Sequence, residues 1–237
     1  MSVAADLSQQ LQSVLGLDAT PVAIRYVTSA PAGVPVVTEA ATAGCSLWRR
    51  AEQSTFFSRP SAHRGCAVGM FTQGLSMEAD ASDELMGLIG QMDELGYLSG
   101  DEVPSIPTVP AERTGSDGGM VEGPLAEVAD GETVDAVLVW AKPAQAMILN
   151  EALGAAAWGS GGTAVFGRPA CAALPVAMRD GKATISLGCA GMRTFTEIAD
   201  DRMLITIPGT AVASLGESLA SISGANDQMR SFYESRR

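Results

Sequence analysis

The chain has one histidine and two lysines in 237 residues, and its 15 basic residues face 27 acidic ones. A formal net charge of −12 excludes the clustered basic surface that grips nucleic-acid phosphates. No apolar run reaches the roughly 18 residues of a membrane-spanning helix, so no membrane association is expected. The opening Met1-Ser-Val-Ala-Ala-Asp lacks the basic and apolar regions of a signal peptide, and the expected compartment is the cytoplasm. There is no C-x-x-C, which removes the sequence marks of zinc ribbons and thioredoxin-like redox motifs. There is no G-x-S-x-G, and a Ser-His-Asp triad would have to use His63, beside which no serine motif stands. Gly159-Ser-Gly-Gly-Thr lacks the Lys-Ser/Thr of a phosphate-binding loop and follows a helical stretch.

What is present suits a folded domain, with 46% hydrophobic and 18% charged residues. Leu7, Leu11, Val14 and Leu15 recur at helical spacing over 5–16, and Gly16 stops that helix. Strands are expected at 20–27, 54–58, 134–141, 161–167, 183–188 and 203–208. Helices are expected from Cys45, at 82–98, from Pro143 to about 157, at 169–178, 191–201 and 210–222, with a separate terminal helix after Asn226. Met86, Met92 and Met147 fall at core spacing. Residues 100–131, with four prolines, read as a boundary whose Met120–Val128 segment is at most an edge strand. The pattern is α+β or mixed α/β: mixed sheets with flanking helices, and a site between two halves, 1–100 and 101–237, or one continuous domain. No strong internal repeat is visible.

The four cysteines are Cys45, Cys66, Cys171 and Cys189, one pair in each half. Three of them follow glycine, an arrangement that chance gives roughly once in two hundred even in a chain with 26 glycines in 237 residues. Glycine lets the backbone approach closely and turn amides toward sulfur. Cys45, Cys66 and Cys189 also fall near expected helix starts, where the dipole favours a thiolate. Four such thiolates suit an iron–sulfur cluster or a tetrahedral zinc; the alternative is four small buried hydrophobes. His63, three residues before Cys66, reads as a ligand or proton donor, or else as a surface-loop histidine. Arg64 and Arg193 flank two cysteines and would balance cluster charge or clamp a carboxylate, or else are solvated. Glu197 is placed as the (i, i+4) partner of Arg193.

The blocks Pro21-Val-Ala-Ile-Arg, Cys45-x-x-Trp48-x-x-Ala51, His63-x-x-Cys66-Ala-Val-Gly, Ala141-Lys-Pro-x-Gln-Ala-Met147, Cys171-Ala, Ile185-x-Leu-Gly-Cys189-x-Gly-x-Arg193 and Ile205-x-Ile-Pro208 resemble the DUF169 family of archaea and bacteria. The resemblance runs from about residue 5 to 222. It implies cysteines and a histidine at matching positions, hence one shared site. One departure is Ala67-Val68-Gly69 where many members carry a pair of small residues. On ligand chemistry, the expectation is one oxygen-sensitive [4Fe-4S] cluster on Cys45, Cys66, Cys171 and Cys189. An enzyme would use it as Lewis acid or redox centre on a small-molecule substrate, as a lyase, hydrolase or oxidoreductase, with His63 as acid/base and Arg193 as anion clamp. The alternatives are a non-catalytic redox-sensing or electron-transfer protein with a redox partner, a structural zinc protein, and a metal-free small-molecule binding module.

Overall fold

The β-branched and apolar runs become strands, and the longest strands occupy the middle of one sheet. The computed structural model describes residues 3–128, 133–155 and 164–237. The strands are β1 (Val22–Val27), β2 (Val36–Val37), β3 (Phe56–Ser58), β4 (Gly119–Pro124), β5 (Ala136–Ala141), β6 (Ala164–Phe166), β7 (Thr184–Ser186) and β8 (Met203–Pro208). They form one mixed eight-stranded sheet in the order β2-β3-β4-β1-β5-β8-β7-β6. Only the outer pairs, β2–β3 and β6–β7, are parallel. The helices are α1 (Val3–Leu15), α2 (Gly44–Ala51), α3 (Ala67–Thr72), α4 (Ala79–Glu94), α5 (Leu125–Val128), α6 (Pro143–Asn150), α7 (Ala173–Asp180), α8 (Ala190–Thr196) and α9 (Val212–Glu234). The class is α+β.

Side-chain alternation gives the sheet two buried faces. Ala23, Val137, Val139, Ile205 and Ile207 pack with Leu7 and Leu11 of α1, Leu149 of α6 and Leu215 of α9. Val22, Ile24, Leu138, Trp140 and Leu204 face the other way, onto Trp48 of α2, Met70 of α3, Leu174 of α7 and Met192 of α8. Each fully buried leucine, such as Leu138 or Leu174, contributes about 1.5–3 kcal/mol of hydrophobic stabilisation. The second face carries the cysteines.

Outward from the central β1–β5 pair, the strand order is the same in both directions. On one side β1 is followed by β4, β3 and β2; on the other β5 is followed by β8, β7 and β6. β1 and β5 pair antiparallel about Ala23 and Val137, which is the register a two-fold relation demands. Strand lengths match, with six residues each in β1, β5, β4 and β8 and three each in β3 and β7. The chain is therefore a duplicated topology that the sequence does not display. Because β4 pairs with β1 and β3, it belongs to the first of the two repeats, β1–β4 and β5–β8.

Several sequence expectations are corrected. The Gly- and Pro-bearing segment 119–124 is a central strand, not an edge. Pro124 sits at its last position, and its glycines are required by close approach. A Cβ on Gly119 would lie 2.1 Å from the Ser58 carbonyl oxygen, and one on Gly123 would lie 2.4 Å from Thr55 Oγ1. The C-terminal segment is one helix of 23 residues, not two. Helix α8 ends at Thr196, because Glu197 turns left-handed at φ 52°. Met86 and Met147 are exposed rather than core. The start of the 161–167 strand, the end of the 143–157 helix and Gly159–Thr163 lie outside the described residues.

Candidate functional site

All four cysteines line one cavity of about 670 Å³ on the second face of the sheet. Each sits where a helix begins. Cys45 is the second residue of α2, Cys66 precedes α3, Cys189 precedes α8, and Cys171 lies in the 3-10 turn 170–172 that runs into α7. In the duplicated topology Cys45 and Cys171 occupy the helix between the second and third strands, and Cys66 and Cys189 the helix between the third and fourth. The two pairs are thus the same two positions used twice.

The thiols sense one another. Burial, then the neighbouring Cys66 and Cys189, push the Cys45 thiol up to about 12. Burial pushes Cys171 up further, with Cys66, Cys189 and Cys45 acting in the same direction and the Thr72 hydroxyl of α3 against it. Cys189 Sγ accepts the Met192 amide at 3.4 Å. Gly69 permits the first turn of α3 to fold onto its own cysteine, since a Cβ there would lie 2.9 Å from Cys66 Sγ. The glycines before the cysteines have local reasons. Gly188 has φ 86°, and a Cβ on Gly65 would meet the Ala41 carbonyl oxygen at 2.4 Å. Among the described residues, no three His, Cys, Asp or Glu side chains stand at the spacing of a single metal ion.

His63 is fully buried, not on a surface loop, and it does not line the cavity. Its Nε2 is 3.0 Å from Ser58 Oγ, and Ser58 donates to Glu122 Oε1 at 2.5 Å. Burial holds the imidazole down at about 3 and lifts the Glu122 carboxyl to about 8, against the Ser58 hydrogen bond. Both groups are therefore neutral at pH 7. Burial, then Glu122 and Asp135, push the Tyr26 phenol up from the same face. His63 Nδ1 has no partner and faces Gly44, where a Cβ would lie 3.5 Å from it and 3.3 Å from Gln73 Nε2.

Arg193 is tied down away from the cavity. Its guanidinium donates to the carbonyls of Leu187 (2.6 Å), Arg202 (3.1 Å) and Ala199 (3.3 Å), with Asp200 at 3.8 Å. Glu197 is not its partner, because α8 has already ended. Arg64 pairs with Asp80 and Glu84 of α4 rather than with a thiolate.

Two lining residues were not singled out in the sequence. Gln73 is fully buried with both amide atoms unpartnered. Its legible signal is the spacing Cys66, Gly69, Gln73, which is one helical face. Arg168 stacks 4.3 Å over the ring of Tyr97, whose hydroxyl accepts the Ala190 amide beside Cys189. Nothing local marks it. The rest of the wall is mostly apolar, with Leu85, Leu88, Ile89 and Met92 from α4, which also brings Glu84 and Gln91 to it.

No helix among the described residues is long and apolar enough to cross a membrane. The model of one family, DUF169 (uncharacterised ArCR), matches residues 10–218. No curated protein and no solved structure matches the chain. The protein belongs to the DUF169 family.

Proposed function

For this DUF169 member we propose that Cys45, Cys66, Cys171 and Cys189 hold one [4Fe-4S] cluster beside a pocket for a small molecule. The observation that carries the reading is the convergence of four thiols, from four separate helix starts, on one cavity. The residues fit the group. The donor set is all sulfur, which suits iron–sulfur centres, and a cubane spreads its ligands more widely than a single ion does. The Met192 amide supplies Cys189 with a hydrogen bond of the kind that tunes such sulfurs. When bound, the cluster supplies one-electron transfer, or Lewis acidity at an iron that one thiol leaves open.

The chain's own residues do the rest. Buried Cys45 and Cys171 stay protonated without metal, so loading releases protons and its free energy adds to folding. Gln73 offers a donor and an acceptor beside Cys66. His63 acts through Ser58 to hold Glu122, and is a positioning residue rather than a group on the cavity wall. The test is anaerobic purification with iron, acid-labile sulfide and paramagnetic spectra. Near four irons and four sulfides per chain is expected; colourless, folded, metal-free protein overturns the reading.

A closed centre, cluster or zinc, that passes electrons to a partner protein or senses redox state is the second reading. It is favoured by the withdrawal of both His63 and Arg193 from the cavity. Small-molecule turnover at the loaded centre would exclude it.

A further inference from the structure

We infer that the cavity beside the thiols binds a mostly apolar organic acid, with its anionic end at Arg168 and a second polar group at Gln73. The inference adds to the cluster reading and stands without it. Three observations carry it. The first is shape and chemistry: about 670 Å³ is far more space than four thiols and one inorganic centre need, and α4 lines it with Leu85, Leu88 and Ile89. Cavities of this size and lining are the ordinary form of organic-ligand sites.

The second is Gln73. A fully buried amide with neither atom satisfied is rare, and leaving it so costs stability unless a ligand completes it. Its donor and acceptor stand side by side, the complement of a carboxamide, lactam or carboxylic acid edge. The third is Arg168. It is the one cation among the described lining residues, and its guanidinium carbon lies 4.3 Å from the centre of the Tyr97 ring. A guanidinium over an aromatic face still has N–H donors for bidentate contact with a carboxylate. Arg168 is three residues before Cys171 in the chain, and Gln73 and Cys66 both border Gly69. Helix α4 lines the cavity with hydrocarbon between Glu84, whose charge is paired with Arg64, and Gln91.

The test uses anaerobically purified full-length protein and the fluorescence of 8-anilinonaphthalene-1-sulfonate, an apolar body with one anionic group. Octanoate, octan-1-ol and the monoamide of octanedioic acid are the competitors. The expected result is saturable displacement, with octanoate about tenfold stronger than the alcohol and the monoamide stronger again. Arg168→Gln should remove the preference for the acid over the alcohol. Gln73→Leu should remove the advantage of the monoamide and spare octanoate. Leu88→Asp, at a half-buried position on α4, should abolish probe binding, with circular dichroism checking the fold. Absence of displacement, or displacement that these variants leave unchanged, overturns the inference. Iron and sulfide measured on the same samples report on the cluster, so failure of one reading is distinguishable from failure of the other.

Discussion

The two halves of the sheet share a topology and differ in chemistry. Ser58 of β3 and Ser186 of β7 hold corresponding places, opposite Met120 of β4 and Leu204 of β8. Glu122 and Thr206 likewise correspond, opposite Ile24 and Leu138. In the N-terminal half Ser58 links His63 to Glu122, three buried groups in a row. In the C-terminal half Ser186 accepts only its neighbour Gly188's amide, and the buried Thr206 hydroxyl has no partner. Seven residues past the later cysteine of each pair stand Gln73, unsatisfied, and Thr196, bonded to the Met192 carbonyl. The cysteines were kept in duplicate while the ionisable chain exists once. Holding the proposed centre is thus a symmetric task, and any proton chemistry belongs to one side.

Four experiments break or sharpen this contrast. The largest effect is expected for the thiols: Ser in place of Cys45, Cys66, Cys171 or Cys189 should cut iron and sulfide content to less than about a tenth in each case. Equal loss from the two halves supports the symmetric role; loss confined to one half breaks it.

Next comes pH. Glu122 titrates near 8 in the folded protein against 4.5 ordinarily, because burial disfavours its charge. Between those values the native state binds the extra proton, so stability falls as pH rises from 4.5 through 8. His63 is lowered to about 3, so its contribution runs the other way and is lost as pH falls below 6.5. Denaturant unfolding across pH should show a maximum between these limbs. Glu122→Gln should flatten the alkaline limb by a few kcal/mol; an unchanged limb would mean that Glu122 is ionised in the fold.

Smaller again, His63→Ala should cost about 2–4 kcal/mol by opening a cavity and stranding Ser58, while iron content stays the same. Iron loss would instead make His63 a ligand. The smallest effect is expected at the mirror position. Thr206→Val removes an unsatisfied hydroxyl at constant shape and should change stability by less than about 1 kcal/mol, in the stabilising direction. Thermal unfolding would measure it.

The central strands were legible because β1, β5 and β8 are nearly unbroken apolar or β-branched runs. The cysteines were legible through their glycines and helix starts. Strand β4 was not, since Gly119, Gly123 and Pro124 carry a loop's local signature and only the close approach of Thr55 and Ser58 explains them. Gln73 and Arg168 are ordinary residues whose meaning comes from what folding brings beside them. The anchoring of Arg193 has the same cause: the Ala199 and Arg202 carbonyls that it meets follow the left-handed Glu197, and the Leu187 carbonyl comes from before α8. The two-fold relation was hidden because it is kept by hydrogen-bond register, which many sequences satisfy.

The position of β8 bears on how the protein is made. Strand β7, which leads directly to Cys189, reaches the rest of the sheet only through β8, and β6 only through β7. Until residue 208 has been synthesised, a nascent polypeptide has no native edge that joins the β6–β7 pair to the rest of the sheet. The later thiol pair is therefore seated after translation of both halves, and a metallocentre needing all four sulfurs has to be delivered to chains that have passed that point.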